Sequence, residues 1–265
     1  MFESMKNALG GSGVTLENGG VILVSETATA SANGLVSHFL SWGISNNHPV
    51  CFVTLQQTWS HYCNIGNKLG VNLRQHAEKG HVKVIEGLKM TSEVLDGVVE
   101  DISDHPFGFL MENCKYPLKN LYCLIKETVK LWKEKYFLLI VDSITSLLSL
   151  GVTTKDLDIF IQYCSSLINH ASAKPIGLLV LVTNYDEKDE DVSHVTNSIA
   201  HNAMMHLSVR GLSTGLSREV HGDLKLILYD RQKPHLCLPK VQHFQYKMED
   251  KNIKLFAPGT SACVL

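Results

Sequence analysis

The stretch "VILVSETATASANGLVSHFL", residues 21–40, decides the fold. Four aliphatic residues give way to small and polar ones, then to apolar residues at helical spacing. That order reads as strand, loop and helix. In many α/β proteins such a loop cradles a nucleotide phosphate. This loop carries one glycine and no lysine.

Working outward, "GVILVS" (20–25) is a buried strand and residues 31–44 a helix. "PVCFVTL" (49–55) is the next strand, and residues 58–70 form a helix closed by Gly70. "HVKVIEGL" (81–88) alternates like an edge strand. Residues 117–134 set Leu118, Leu121, Ile125, Val129 and Trp132 on one helical face. "YFLLIVD" (136–142) is an apolar strand ending in an acid. Residues 154–170 are an amphipathic helix, and "PIGLLVLVTN" (175–184) another buried strand. Strands apolar on both faces, separated by amphipathic helices, require a parallel sheet covered on both sides. After residue 200, "AMMHLSVRGL", "LKLILYD", "HFQYKMED" and "NIKLFAPG" read as antiparallel hairpins extending that sheet. Residues 101–117 are irregular, and the acidic stretch 185–198 reads as a mobile loop. The expectation is one α/β domain over residues 20–265, after a flexible lead-in over 1–19.

Composition narrows the function classes. The chain has 265 residues, 45% hydrophobic and 19% charged, enough to bury a full core. A net charge of -2 offers no general electrostatic grip on nucleic acid, though a local patch stays open. Seven cysteines are scattered singly with no CxxC pair, which argues against a cysteine zinc site or a disulfide framework. The first twenty residues lack the apolar core of a signal peptide, and no apolar run is long enough to span a bilayer. Cys263 stands third from the end, where prenylation needs it fourth. A protein of a reducing compartment, without a membrane partner, is expected.

The loop can be tested against G-x-x-x-x-G-K-[ST], in which lysine neutralises phosphates and the hydroxyl holds Mg²⁺. With Gly34 as the second glycine, Thr29 stands at the first, Leu35 at the lysine and Val36 at the hydroxyl. Leucine brings no charge and valine no metal ligand. Losing one charge-assisted contact removes about 1.5–3 kcal/mol, so tight ATP–Mg²⁺ binding is not expected. Gln56 and Gln57 end the second strand, where an ATPase places a carboxylate base; glutamine cannot take a proton from water at neutral pH. Asp142 stands where a P-loop protein orders Mg²⁺, without a lysine or hydroxyl to face it. His76/His81 and His201/His206 are five apart, off a common helical face, and no HExxH occurs, so no metal site is expected. Neither a nucleophile elbow nor an acid/base pair is visible. Basic residues gather modestly at 229–235 and at Arg210, Arg218 and Lys225.

The order of parts resembles the RecA-like ATPase core over roughly residues 15–260. "VCFVTLQQTWSHYCNIGNKLGVNL", "DSITSLLSLGV", "GLSTGLSREVHGDLKLIL" and "FQYKMEDKNIKLFAPG" resemble the sixth-subunit family of Elongator. The resemblance implies a RecA-like fold without nucleotide motifs, no cofactor and no catalytic residue. It implies a ring with two copies each of the fourth, fifth and sixth subunits, alongside the remaining Elongator subunits. That ring binds transfer RNA for modification of the wobble uridine, in the cytoplasm with the nucleus as a second compartment. In such rings a chain with an emptied pocket can still reach its neighbour's site. Arg231 and Lys233, with Arg218, are the candidates for contact to a neighbour or to RNA. The alternatives are an ATPase with an unorthodox loop and a DNA-repair adaptor of the same fold.

Overall fold

The computed structural model describes residues 16–132, 135–169, 176–212, 215, 217, 219–229, 238–249 and 252–258. Its strands are β1 (Gly20–Glu26), β2 (Val50–Thr54), β3 (Val82–Ile85), β4 (Phe137–Asp142), β5 (Gly177–Asn184), β6 (Met205–Arg210), β7 (Gly222–Leu228), β8 (Lys240–Glu249) and β9 (Asn252–Phe256). They form one sheet in the order β3-β2-β4-β5-β1-β6-β7-β8-β9. The pairs from β3 to β6 are parallel, and those from β6 to β9 antiparallel. The helices are α1 (Asn33–Ser45), α2 (Trp59–Lys68), α3 (Leu73–Glu78), α4 (Gly87–Leu95), α5 (Lys119–Lys130), α6 (Ser146–Ser149), α7 (Thr154–Ile168) and α8 (Glu190–Asn202).

β1 explains why both faces must be covered. Ile22 and Val24 enter one core with Phe39, Phe52 and Tyr62, while Val21 and Leu23 enter the other with Leu121, Leu157 and Val195. Every residue of β1 is buried, as a strand between two helical layers must be.

Three expectations need correction. β3 ends at Ile85, and residues 86–88 leave the strand, because α4 begins at Gly87. That turn passes so close to β2 that a Cβ on Gly87 would lie 2.6 Å from Leu55 Cδ2. The acidic stretch after residue 185 is mostly α8 rather than a loop. The Asp189 side chain accepts the Val192 N–H, and Glu190 and Asp191 occupy the first turn, where the helix dipole favours acids. Finally, "AMMHLSVRGL" opens the antiparallel part through β7 but also closes the parallel one. β6 lies parallel to β1, with Leu207 beside Val24, because α8 supplies the long crossover that a parallel return needs.

Of the expected lead-in, residues 1–15 lie outside the described residues. Leu16–Asn18 form a short 3-10 turn with Leu16 buried, and the Tyr136 hydroxyl donates to the Leu16 carbonyl. Among the described residues, no helix is long and apolar enough to cross a membrane.

Candidate functional site

In a sheet of this kind, ligands sit beyond the carboxyl ends of the parallel strands. Here those ends are Glu26 of β1, Thr54 of β2 and Asp142 of β4. Glu26 is buried, and its carboxylate turns into the loop that follows it. The Ala32 N–H, just ahead of α1, donates to Glu26 Oε2 at 2.5 Å, and Gln56 Nε2 donates to Oε1 at 3.2 Å. A phosphate-binding loop aims such an N–H at its ligand. This chain satisfies it with its own carboxylate. Burial pushes the Glu26 carboxyl above its ordinary value, and the bonds from Ala32 and Gln56 pull back.

The second carboxylate is also engaged. Tyr62 donates its hydroxyl to Asp142 Oδ2 at 2.6 Å, and the Gln57 N–H bonds the same carboxylate. Tyr62 lies 3.4 Å from Asn33 Oδ1, and Asn33 Nδ2 lies 3.2 Å from His61 Nε2. Residues of β4, α2 and α1 thus close one polar chain at the strand ends. The Thr58 side chain fixes the start of α2 by accepting the His61 N–H. Burial, reinforced by the nearby Glu26 charge, raises the Asp142 carboxyl to about 6 against the pull of Tyr62 and Gln57. Two buried carboxylates thus sense each other at the strand ends.

The apolar half of the loop is filled from outside. Leu35 is 5% exposed and Val36 fully buried. Leu35 shares a crevice with Val209, Leu224, Tyr246, Met248 and Ile253, whose volume of about 10 Å³ matches a single water. A Cβ on Gly34 would lie 2.5 Å from Ile253 Cδ1 and 2.9 Å from Met248 Cε. The β8–β9 hairpin is therefore seated on the first turn of α1. Thr29 pairs with Thr27 (3.2 Å between hydroxyls) and packs against the backbone at Gly211. A triphosphate with Mg²⁺ does not fit these residues. The lysine position faces a hydrophobic core, the loop N–H is taken by Glu26, and Asp142 is bonded to Tyr62.

A model of the family described as Elongation complex protein 6 matches residues 2–250. The chain belongs to the Elongation complex protein 6 family. It is 35% identical over 272 residues to the Elongator complex protein 6 of Rattus norvegicus and 33% identical over 272 residues to that of Homo sapiens, each match covering all of both chains. Identity to the Drosophila melanogaster relative is 25% over 248 residues, 91% of each chain. Among solved structures, an uncharacterized protein of Pyrococcus horikoshii superposes with a TM-score of 0.59 at 13% identity, over 89% of this chain and 91% of its own. A KaiC-like protein of Pyrococcus horikoshii gives 0.59 at 14%, over 91% and 90%. These likenesses establish a RecA-like α/β fold and nothing of the chemistry.

For this member of the Elongation complex protein 6 family, the structure gathers Thr29, Gly34, Leu35, Val36, Gln56, Gln57 and Asp142 at one end of the sheet. It adds Glu26, Asn33, His61 and Tyr62, which sequence reasoning passed over. One signal was present: "VILVSE" ends in an acid as "FLLIVD" does. Arg218, Arg231 and Lys233 lie outside the described residues. Arg210 faces Glu187 (3.8 Å) and the Tyr185 ring, and Lys225 lies opposite His243 of β8. Among the described residues, no group of three His, Cys, Asp or Glu side chains is placed to hold a metal ion.

Proposed function

We propose that the protein is the non-catalytic sixth subunit of Elongator. In this reading it assembles with subunits four and five into a RecA-like hexameric ring that holds transfer RNA. Its contribution to the 5-carboxymethyl-type modification of the wobble uridine is structural, made in the cytoplasm and the nucleus. One observation carries the non-catalytic part: the carboxylate of Glu26 holds the Ala32 N–H that a phosphate would need, beside a buried Leu35. Family membership supports the complex, because the relatives bear the name Elongator complex protein 6.

Affinity purification of the full chain from cells, followed by mass spectrometry, tests the assembly. Recovery of the other two RecA-like Elongator chains is expected, with loss of the 5-carboxymethyl-type nucleosides from transfer RNA when this chain is depleted. Recovery without those chains overturns the reading. A ligand at one hundred times its dissociation constant adds about 2.7 kcal/mol of stability. ATP with Mg²⁺ is expected to leave the melting temperature of the isolated chain unchanged, and a clear rise would restore an active nucleotide site.

A further inference from the structure

α5 buries Leu121 and Ile125 and turns a different surface outward. Lys119, Lys126 and Lys130 are seven and eleven positions apart, about two and three helical turns, so they stand in one row on the exposed side. Lys115 lies just ahead of the helix, four residues before Lys119. Among the described residues, none of the four pairs with a carboxylate. Glu127 of α5 and Glu112 of the preceding loop are the acids nearest in sequence, and both are exposed.

Aromatic rings flank the row. Tyr122 of α5 and Tyr163 of α7 stand 5.2 Å apart between centroids, and Lys126 Nζ lies 5.8 Å from the Tyr122 ring. Tyr163 is 55% exposed. Lys115 lies over Tyr116, which is 58% exposed. A helix face that merely meets water interleaves acids four residues from its lysines and gains a few tenths of a kcal/mol per pair. This one sets Lys126 against Lys130, a repulsive spacing that Glu127, three residues before Lys130, offsets only in part, and leaves the Tyr116 and Tyr163 rings more than half exposed beside a half-buried Tyr122. In a chain of net charge -2 the row is a local exception.

We infer that the row of lysines on α5, with Tyr122 and Tyr163, is a contact surface for an RNA strand with unpaired bases. The lysines would track phosphates and the tyrosine faces would stack bases. The row spans about 16 Å, long enough to meet several consecutive phosphates. This inference rests on the reading that the assembly holds RNA, and it assigns that contact to a surface far in sequence from the loop after β1.

The test uses the full chain and a short labelled oligouridine, followed by fluorescence anisotropy across a salt series. Each phosphate neutralised on a single strand contributes about -0.7 to the slope of log K against log salt. The variant K119Q/K126Q/K130Q should flatten that slope by about 2, while K119R/K126R/K130R keeps it. Y163A should weaken binding about tenfold with the slope unchanged, because a stacked base carries no charge. All four positions are surface positions, and unchanged thermal melting verifies the fold. The inference is overturned if the wild-type chain does not bind at low salt or if the glutamine variant keeps the wild-type slope. It also falls if a duplex RNA binds as tightly as the oligouridine. Competition by polyglutamate as effective as by RNA would overturn it in favour of an acidic protein partner. Recovery of the Elongator chains by purification is read separately, so either idea can fail while the other stands.

Discussion

The two halves of the sheet are built by different rules. In β1 and β4 every residue is buried, whereas β7 alternates buried and exposed positions and β8 buries only Tyr246. The parallel half lies between helical layers; the antiparallel half has its apolar side against α1 and its other side largely open. The first half holds the fold together. The second half occupies the ligand end of a RecA-like domain, through Met248 and Ile253 on Gly34. The departure of the loop after β1 from a phosphate-binding pattern is thus more than missing side chains, because the hairpin rests on it.

The sharpest contrast comes from alanine truncations in the two halves. Phe52→Ala in β2, at a fully buried ring, should cost about 3–5 kcal/mol in urea unfolding. Val241→Ala in β8, at a side chain 43% exposed, should cost under about 0.5 kcal/mol. Comparable losses would show that the hairpin is as integral as the centre.

A smaller effect tests the seating of the hairpin. Gly34→Val should cost about 1–3 kcal/mol by overpacking against Ile253 and Met248, whose flexible ends can yield part of the way. In an Ile253→Ala background the cost should shrink, since the nearest atom is gone. Equal costs in both backgrounds would mean that the hairpin does not rest on the loop.

The smallest effect separates the polar network from both halves. The Asp142 carboxyl is raised from 3.8 to about 6, so the folded chain holds its proton more tightly than the unfolded chain does. Its penalty is absent below pH 4 and complete above pH 6. Asp142→Asn keeps an acceptor for Tyr62 and removes the repulsion from Glu26. The substitution should raise stability by about 1–2 kcal/mol at pH 8, with the gain vanishing below pH 4. A gain independent of pH would assign the effect to packing.

Much of the centre was legible because burial on both faces leaves a continuous apolar run, and "FLLIVD" or "GLLVLVTN" admits few other readings. α8 was hidden by its own start. Asp189, Glu190 and Asp191 look like loop chemistry, yet a capping Asp, acids in a first turn and Val195 four residues before Ile199 are helix signals. α4 was hidden by shortness, because Thr91 and Val94 are its buried residues beyond Gly87. At the loop after β1, the lack of charge at Leu35 and Val36 could be read directly. The role of Glu26 could not, because its partners are set by the fold: Gln56 is thirty positions away, and the neighbouring Asp142 meets a tyrosine eighty positions from it.

The place of β1 in the sheet has a consequence for synthesis. The strand is made early, but its neighbours are β5 and β6, so neither exists until residue 177 and beyond has been polymerised. At about 5–20 residues per second, this wholly buried ribbon waits roughly eight to thirty seconds without a mate. A ribosome-bound nascent chain of this protein therefore needs shelter for that ribbon, and a chain stopped before β5 would lack both of its native partner strands.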